Sequence, residues 1–370
     1  MTFFYYFFAL LVYLISLPFL FFLSFKKKYH RSVPARFFLY KNPPFSKKDY
    51  HFHACSFGEV RALKSLFEVF KNPNISVITQ TGFDEAKKYG DVRFLPYEIF
   101  LPFWFRECKS LVVMEAELWY MLFLMGKKRC NKTVLLNARI SDRSYSKYLK
   151  FKWFYKHLFK NIDIVLAQSE RDKKRLIELG AKNVEVVGNI KTVFNPKITK
   201  SYKKKKPLIV VASTHSNEEE MILKELDLEN YQVVVAPRHP ERFKEVEGFL
   251  KDFAQKRKKS FEKLRNESLR ADIILDDKLG ELINLYKVAD IVILGGSFVD
   301  NVGGHNPIEA AFFNVPIISG RHYFNQHALY EEVENIEITD ITHLKEALKR
   351  AKPTFIKQKV DLEKIISFIK

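Results

Sequence analysis

Short apolar runs alternate with amphipathic stretches along most of this chain, starting near residue 50. Apolar residues such as Val60, Leu63, Phe67 and Phe70 recur at the spacing of one helix face. Strands that alternate with helices predict βαβ units, and therefore parallel sheets covered by helices on both faces. We predict strands at Tyr50–Ala54, Ser76–Thr79, Leu111–Met114, Thr133–Asn137, Ile164–Ala167, Leu208–Ala212, Val233–Ala236, Ile273–Leu275, Ile291–Leu294 and Pro316–Ile318.

The strands fall into two series, separated by residues 195–206, where Pro196 and the run Lys203–Lys206 have the composition of a linker. We predict an N-terminal domain over 26–198, a linker over 199–206 and a C-terminal domain over 207–370. The alternative for the last helix is that it packs back on the N-terminal domain. The expected fold is α/β, with two Rossmann-like doubly wound domains facing a cleft. Ligands in such sheets bind at the carboxyl ends of the strands.

The first 25 residues are predicted to form a membrane anchor. Phe3 to Phe25 is a run of 23 residues without charge, which as a helix is about 34 Å long, enough to span a hydrocarbon core. Residues 26–48 carry eight Lys or Arg and no acid, so the positive-inside rule predicts a cytoplasmic body. Pro18 would kink a spanning helix, and an anchor that enters one leaflet remains an alternative.

Composition narrows the choice of partners. The 370 residues include 62 Lys and Arg against 43 Asp and Glu, a net charge of +19, with 47% hydrophobic and 28% charged residues. These are globular values, which exclude wholesale disorder and fibrous classes. The charge indicates an anionic partner: nucleic acid, a membrane surface or a charged substrate. The three cysteines are widely spaced, which predicts no disulfide framework or zinc ribbon and favours a reducing compartment.

Candidate chemistry in the first domain lies where predicted strands end. Ser56 is placed to cap a helix, and Gly58 to permit a tight turn before it. Glu59, in the first turn, is either a partner of the helix N-terminus or a general base. Glu115 follows a buried strand and is either an ion-pair partner or a functional carboxylate. Lys191 is placed either to meet an anion or to lie in solvent.

In the second domain, Ser213 and Thr214 end the first strand. The glycine pairs 295–296 and 303–304 would let backbone N–H groups approach a phosphate. His305 follows the second pair, and Glu309 is a candidate acceptor for ribose hydroxyls. No P-loop, G-x-G-x-x-G or HExxH pattern occurs, so an ATPase, a dinucleotide oxidoreductase and a metal centre find no support.

Ten motifs in one order resemble the 3-deoxy-D-manno-octulosonic acid (Kdo) transferases, from the anchor to about residue 335: HACSFGE, EAELW, LNARIS, AQSERD, GNIK, ASTH, PRHPERF, LGEL, GGS and GGHNPIEAA. The resemblance implies a GT-B glycosyltransferase with an N-terminal acceptor domain and a C-terminal CMP-Kdo domain. It implies an inverting, metal-independent transfer of Kdo from CMP-Kdo to the lipid A precursor (lipid IVA), which releases CMP. This reaction belongs to lipopolysaccharide biosynthesis at the inner membrane of Gram-negative bacteria, and no cofactor is implied.

The family's roles carry over residue by residue. Glu59 matches the catalytic base, Glu115 a second essential carboxylate and Lys191 a cation that stabilises the transition state. Ser56, Gly58, Ser213, Thr214, Gly304 and His305 are further candidates for phosphate or sugar contacts. The CMP-binding segments match Pro237, Arg238, Leu279, Gly280, Glu281, Asn306, Pro307, Ile308 and Glu309.

Two departures from the family pattern concern the acceptor domain: the segment Ile78–Gly82, and Tyr120-Met121 where the family has Pro-Asn. The expected partners are CMP-Kdo, the lipid A precursor and anionic inner-membrane lipids. Two alternative functions account for part of the sequence. A membrane-tethered nucleic-acid-binding protein would use the +19 charge, but no RRM, KH or helix-turn-helix pattern accompanies that charge, and we expect no nucleic acid partner. The second alternative is a glycosyltransferase that uses a UDP- or GDP-sugar as donor and another lipid as acceptor.

Overall fold

The computed structural model describes residues 1–27, 29–115, 117–193, 196–358 and 360–370. Lys28 of the basic flank, Ala116 of the EAELW motif and Asn195 at the start of the linker segment lie outside these ranges. The described residues divide into two units: 1–193 together with 360–370, and 196–358.

The first unit is built on a seven-stranded parallel sheet with the order β3-β2-β1-β4-β5-β6-β7. Its strands are β1 Tyr50–Ala54, β2 Asn74–Val77, β3 Asp91–Phe94, β4 Cys108–Met114, β5 Cys130–Ala138, β6 Ile164–Ala167 and β7 Val184–Val186. Its helices are α1 Thr2–Ser24, α2 Ser32–Phe38, α3 Phe57–Ala62, α4 Lys64–Val69, α5 Gln80–Ala86, α6 Leu101–Trp104, α7 Tyr120–Arg129, α8 Asp142–Lys150, α9 Lys152–Leu158, α10 Glu170–Glu178 and the last helix, α17 Leu362–Ile369.

Both faces of this sheet are buried at its centre, which explains the apolar runs Leu111–Met114 in β4 and Ile164–Ala167 in β6. Along β4, Leu111 and Val113 belong to one hydrophobic cluster, and Val112 and Met114 belong to the cluster on the opposite face. The helix-face prediction for residues 60–70 is confirmed, since Val60, Leu63, Phe67 and Phe70 all join the second of these clusters.

The second unit repeats the plan with a parallel sheet of order β10-β11-β9-β8-β12-β13-β15 and a short antiparallel pair β14-β16. Its strands are β8 Leu208–Thr214, β9 Gln232–Pro237, β10 Phe261–Lys263, β11 Ile273–Leu275, β12 Ile291–Leu294, β13 Ile317–Ser319, β14 Val333–Glu334, β15 Glu337–Ile338 and β16 Phe355–Ile356. Its helices are α11 Glu218–Glu225, α12 Phe243–Lys256, α13 Leu282–Tyr286, α14 Ile308–Ala311, α15 His327–Tyr330 and α16 Leu344–Arg350.

The strand order places a topological switch point in each sheet. In the first unit, β1 has β2 on one side and β4 on the other, so the loops after β1 and β4 leave in opposite directions from neighbouring strands. The same holds for β8, between β9 and β12, in the second unit. Such points are where open α/β sheets bind ligands. The predicted fold class, two doubly wound α/β domains of the GT-B type preceded by an apolar helix, is confirmed.

Three details differ from the expected organisation. Residues 199–206 do not form a free linker, because Tyr202 is buried in the second unit and the N–H of Thr199 donates to Asn284 there. The last helix, α17, belongs to the first unit, so the boundary at 370 is wrong and the alternative that this helix packs back on the N-terminal domain is confirmed; the Ser110 hydroxyl donates to the carbonyl of Ile369. Strands β3, β7, β10, β14, β15 and β16 are additional to those predicted.

The expectation that the cysteines form no disulfide is wrong for one pair. Cys108 and Cys130 stand opposite each other at the start of neighbouring strands β4 and β5, with their Cα atoms 4.7 Å apart, and are joined by a disulfide. Strand register brings them together, which their spacing in the chain did not indicate. Cys55 is a free thiol.

Candidate active site

Glu59 lies in the first turn of α3, directly after β1, and its carboxylate turns back onto the preceding loop. Its Oε2 accepts a hydrogen bond from the Cys55 N–H at 2.7 Å, and its Oε1 accepts one from the Ser56 hydroxyl at 3.0 Å. Ser56 is the N-cap of α3, and its Oγ accepts from the Glu59 N–H. The capping arrangement predicted for these two residues is therefore present. The role of Glu59 as a base stays a prediction.

Burial raises the pKa of Glu59 to near neutral pH. Its side chain is 8% exposed, and this burial is the largest cause of a rise in its pKa to about 7. The Cys55 N–H opposes the rise, whereas the neighbouring charges of Glu115 and Glu117 add to it. A carboxyl with such a pKa can both accept and release a proton at physiological pH, as a general base must.

Gly58 does not make the tight turn predicted for it. It lies inside α3, its φ is outside the left-handed region, and a Cβ built there would meet nothing within 4 Å. Its missing side chain instead leaves open space at the start of the helix.

The structure brings Glu115 and Lys191 together. Glu115 follows β4, and its Oε1 forms an ion pair with the Lys191 ammonium and accepts from Asn137 Nδ2 at 3.4 Å. Asn137, at the end of β5, uses its Oδ1 to accept from the Ile190 N–H at 2.9 Å and so holds the turn that carries Lys191. Both members of the pair are about two-thirds buried. The alternative that Lys191 is simply solvated is wrong.

Glu117 and Cys55 lie close to Glu59. Glu117 accepts a hydrogen bond from the Trp119 indole at 2.6 Å. Its Oε2 lies 4.0 Å from Nε2 of His53, but the two form no ion pair at neutral pH, since burial lowers the pKa of His53 to about 3. Burial is also the main reason that the pKa of the Cys55 thiol rises to about 12, which makes it a poor nucleophile. The Arg36 guanidinium lies near Cys55 and Glu117 and is desolvated enough that its pKa falls to about 10.

The segment that departs from the family pattern packs directly against this site. Thr79 caps α5, and its hydroxyl donates to the Cys55 carbonyl at 3.1 Å. Gly82 permits the close approach, because a Cβ there would lie 3.2 Å from the Ser56 carbonyl carbon and 3.3 Å from the Cys55 oxygen. The loops after β1 and β2 therefore support each other.

In the second unit, two buried carboxylates connect the loops at the switch point. Glu218 is fully buried, and it accepts from the N–H groups of His215 at 2.9 Å, Gly296 at 2.6 Å and Phe298 at 3.0 Å. Burial raises its pKa despite these donors. Glu219 accepts from the Thr214 hydroxyl at 2.6 Å and pairs with both terminal nitrogens of Arg242. These contacts join the loops after β8, β9 and β12.

The predicted phosphate cradle of glycine amides is not open at three of its four positions. The Gly295 N–H donates to the Ala212 carbonyl at 2.8 Å. The Gly296 N–H is bonded to Glu218, and the Gly304 N–H donates to the Gly296 carbonyl at 2.8 Å. Thr214 is buried with its hydroxyl on Glu219, so it is withdrawn from ligand, whereas Ser213 is half-buried with a left-handed φ of 58°. Gly304 is required sterically, since its φ is +77° and a Cβ would lie 2.9 Å from Tyr323.

His305 contacts another histidine. Its Nε2 lies 3.0 Å from Nε2 of His215, and the two rings stack with centroids 5.2 Å apart. Burial lowers the pKa of His305 to about 4 and also lowers that of His215. Both rings are therefore neutral at pH 7, and one donates to the other. Pro237 ends β9, and the next residue, Arg238, is exposed, so its guanidinium is accessible to a ligand.

The remaining predicted nucleotide contacts lie around α13 and α14. Glu281 is engaged inside the unit, where it pairs with Lys200 and accepts from the Tyr202 hydroxyl at 2.7 Å, while Leu279 and Gly280 are exposed. Asn306 Oδ1 accepts from the Ile308 N–H at 2.9 Å, and Pro307 directly precedes α14. Glu309, in the first turn of α14, and buried Asp276 both act on the pKa of Tyr286, so the three lie near one another. Burial raises the pKa of Asp276 to about 7.

Sequence reasoning missed several of these groups. Arg36 looked like one member of the basic flank, and only its desolvation beside Glu117 distinguishes it. Glu218 and Glu219 belong to the acidic first turn of α11, a common feature that does not single them out in the sequence. No pattern pointed to Asp276. Among residues 1–27, 29–115, 117–193, 196–358 and 360–370, three or more His, Cys, Asp or Glu side chains nowhere cluster in a way that could hold a metal ion.

Comparisons with known proteins extend over most of the chain. The family model described as 3-Deoxy-D-manno-octulosonic-acid transferase (kdotransferase) matches residues 31–194. The chain is 32% identical to the 3-deoxy-D-manno-octulosonic acid transferase of Haemophilus influenzae, over 91% of this chain and 86% of that protein. It is 33% identical to a bifunctional glycosyltransferase/methyltransferase of Fusobacterium nucleatum, over 85% of this chain and 54% of that protein.

Among solved structures, the chain is similar to the C-terminal CMP-Kdo binding domain of WaaA from Acinetobacter baumannii, with 29% identity and a TM-score of 0.34 over 39% of this chain and 79% of that domain. The relationship to the Haemophilus enzyme spans most of both chains and confirms the resemblance carried by the ten motifs. The chain belongs to the Kdo transferase family, the glycosyltransferases that add Kdo in lipopolysaccharide biosynthesis.

Proposed function

We propose that this chain transfers Kdo from CMP-Kdo to a sugar hydroxyl of the lipid A precursor, lipid IVA, with inversion at the anomeric carbon and without a metal ion. The observation that carries the proposal is the group formed by Glu59, Glu115 and Lys191 at the switch point of the first sheet. The carboxyl of Glu59 is buried and has a pKa of about 7, and the ammonium of Lys191 is held in an ion pair with Glu115.

In the proposed step, the Glu59 carboxylate takes the proton from the acceptor hydroxyl. The freed electron pair forms the new bond to the anomeric carbon of Kdo. On the opposite face of the sugar the bond to the CMP phosphate breaks, and its electron pair leaves with the phosphate oxygen. A single displacement of this kind inverts the anomeric carbon. The balance needs no co-reactant, because CMP leaves as the anion.

The positive charge of Lys191 favours the negative charge that develops during this step. Glu115 keeps the ammonium in place, and Asn137 orients both Glu115 and the turn at Ile190. Such preorganisation lets a charge act without rearranging at the moment of reaction.

The second unit is proposed to hold CMP-Kdo. Arg238 supplies an exposed cation for the phosphate, and Glu309 in α14 is the candidate acceptor for ribose hydroxyls. The N–H groups of Gly296 and Gly304 are already hydrogen-bonded, and His305 is neutral. These groups therefore fix the shape of the loop and do not neutralise the charge of the CMP phosphate. Leu279 and Gly280 remain candidates for base or ribose contact because they are exposed.

The proposed place of work is the cytoplasmic side of the inner membrane. Of the described helices, α1 has the length and composition required to cross a membrane, and the basic flank at 26–48 supports a cytoplasmic body. Because disulfides are rare in a reducing compartment, the pair Cys108–Cys130 is expected to be a dithiol there and to close on oxidation.

The test is to incubate the purified full chain with CMP-Kdo and lipid IVA, and to measure product mass and CMP release. We expect one or more Kdo increments, the opposite anomeric configuration to the donor by NMR, and an unchanged rate in EDTA. A product formed only from UDP- or GDP-sugars would refute the donor assignment. Retained anomeric configuration would refute the single displacement, and loss of activity in EDTA the metal independence.

A further inference from the structure

Helix α1 lies lengthwise along the first unit. Thr2 Oγ1 is 2.7 Å from the Tyr120 hydroxyl, and the ring of Tyr5 packs on Tyr120 with centroids 4.8 Å apart. Farther along the helix, Tyr13 stacks on Tyr97. Leu20 is also buried, so the contact extends over eighteen residue steps, or about 27 Å of helix.

Hydrogen bonds fasten this face of the helix to the unit. The Tyr5 hydroxyl donates to the Glu98 carboxylate, which is buried and also accepts from the Met121 N–H at 2.6 Å. Tyr6 donates to the Ile99 carbonyl at 2.8 Å, and Tyr13 donates to the Phe37 carbonyl at 2.7 Å. Separating α1 from the unit would leave Glu98 buried with one donor fewer, which is unfavourable.

The opposite face of α1 is exposed and wholly apolar. Its exposed large side chains are Phe3, Phe4, Phe7, Phe8, Leu10, Leu11, Val12, Leu14, Ile15, Phe19, Phe21 and Phe22. A patch of this extent marks a surface that binds something apolar.

A spanning orientation conflicts with these contacts. A helix of 23 residues that crossed the bilayer would lie within the hydrocarbon for nearly its whole length. The segments packed along it would be drawn in with it, including α2, which has the exposed charged residues Arg31 and Lys41 on either side. Irregular backbone and charged side chains facing lipid are strongly disfavoured there.

Basic side chains occur at both ends of α1. Lys26 and Lys27 are exposed just after its last residue. At its first turns, Tyr5 stacks on Phe154 of α9. The first residue of α8, Asp142, is paired with Arg171 and Arg175, and residues 143–162, the rest of α8 together with α9, carry six Lys or Arg and no acid. In that stretch Phe151 and Trp153 are exposed beside Lys152 and Lys156. A spanning helix would have its positive flank at one end, whereas a helix lying in the membrane surface meets anionic headgroups at both.

We infer that α1 lies in the plane of the membrane surface with its phenylalanine-rich face in the acyl region, and that α8 and α9 join it to form one composite face for an anionic bilayer. The start of α1 then stays on the same side of the membrane as the rest of the chain. Apolar burial supplies the attachment, and the lysines of α9 add the preference for anionic lipid.

The first test determines the side on which α1 begins. The full chain, with an epitope tag ahead of Met1, is expressed in a Gram-negative host, and protease is added to inverted inner-membrane vesicles and to spheroplasts. We expect tag and body to be digested together in the inverted vesicles and both to be protected in spheroplasts. A tag protected in the inverted vesicles while the body is digested would overturn the in-plane orientation.

The second test measures lipid preference, as the ratio of the chain's affinities for vesicles with and without phosphatidylglycerol. The variant K152Q/K156Q should lower this ratio by about 30-fold, since each lysine near an anionic surface contributes about 5-fold. The matched control is K244Q/K256Q, which removes two exposed lysines from α12 of the second unit and should leave the ratio unchanged.

Equal ratios for the wild type and K152Q/K156Q would refute the contribution of α8 and α9. A wild-type chain that ignores vesicles and instead forms dimers through α1 would show that a second copy covers the face. Neither readout measures Kdo transfer, so failure here is distinguishable from failure of the proposed reaction.

Discussion

Replacing Glu59 with Gln separates catalysis from stability at one residue. The substitution removes the negative charge but keeps an oxygen that can accept from the Cys55 N–H. A positioned base contributes about 10²–10⁴-fold, so E59Q should lose about 3–5 kcal/mol of transition-state stabilisation. In the wild type, kcat/KM should rise with pH and level off above about 7, where Glu59 is ionised.

The same variant should be more stable than the wild type at alkaline pH. The pKa of Glu59 is about 7 in the folded chain against 4.5 for the free side chain. The folded state therefore holds the proton more tightly than the unfolded state, and stability falls as the pH rises between these two values. The ionised carboxylate costs up to about 3 kcal/mol at pH 8. E59Q should recover part of that free energy at pH 8 and none at pH 4.

Single-turnover Kdo transfer and urea unfolding at both pH values measure the two effects. The matched control is Glu85→Gln, since Glu85 is equally buried in α5 of the same unit. Burial alone would raise the pKa of Glu85, but hydrogen bonds from Lys88 and Tyr89 outweigh it and lower that pKa. E85Q should therefore lose stability at pH 8 and keep its transfer rate. Wild-type transfer by a folded E59Q, or an E59Q less stable than the wild type at pH 8, would refute the reasoning.

Three further outcomes are expected. Glu115→Gln and Lys191→Met should each lower the rate of single-turnover transfer by on the order of 10²-fold. The double variant should be little slower than either single variant, because each partner positions the other. Additive losses of transition-state stabilisation in the double variant would contradict the pairing. Glu218→Gln should lower the free energy of unfolding by about 1–3 kcal/mol and weaken CMP binding by calorimetry, because both Glu218 oxygens accept from backbone N–H groups and the Gln amide nitrogen would face one of these donors. An unchanged CMP affinity would show that the loops do not depend on Glu218. Reducing the Cys108–Cys130 disulfide, which closes a loop of 22 residues, should lower the free energy of unfolding by about 3 kcal/mol in urea, and Cys130→Ser should not respond to reductant.

Local hydrophobic patterns in the sequence predicted most of the fold. Strands β1, β6, β11 and β12 begin and end at the predicted residues. Strands β6, β11 and β12 are apolar throughout, as expected of parallel strands covered on both faces, whereas β1 also includes the buried His51 and His53. The strands that were missed lie toward the sheet edges and mix polar with apolar residues: β3 (Asp91–Phe94) and β10 (Phe261–Lys263) are examples. An edge strand buries less surface, so its sequence carries a weaker pattern.

The location of the candidate site was also predictable, since strand ends followed by Gly, Ser or acidic residues occur at few places in the chain. The sequence could not show which groups at those places are already engaged. Gly296 and Glu218 are 78 residues apart, yet their hydrogen bond removes an amide from the predicted phosphate cradle. The pairing of Lys191 with Glu115 and the burial of Arg36 likewise depend on how distant segments pack.

Sequence alone therefore determined the fold class, the family and the loops that carry the chemistry, because hydrophobic period and motif order are local properties of the chain. Tertiary structure decided the protonation of Glu59, the engagement of the glycine amides, the Cys108–Cys130 bond and the placement of α1 along the first unit. Each of these depends on desolvation or on contacts between residues far apart in the chain. Such contacts cannot be predicted from the residue order alone, because strand register and packing determine which distant residues meet.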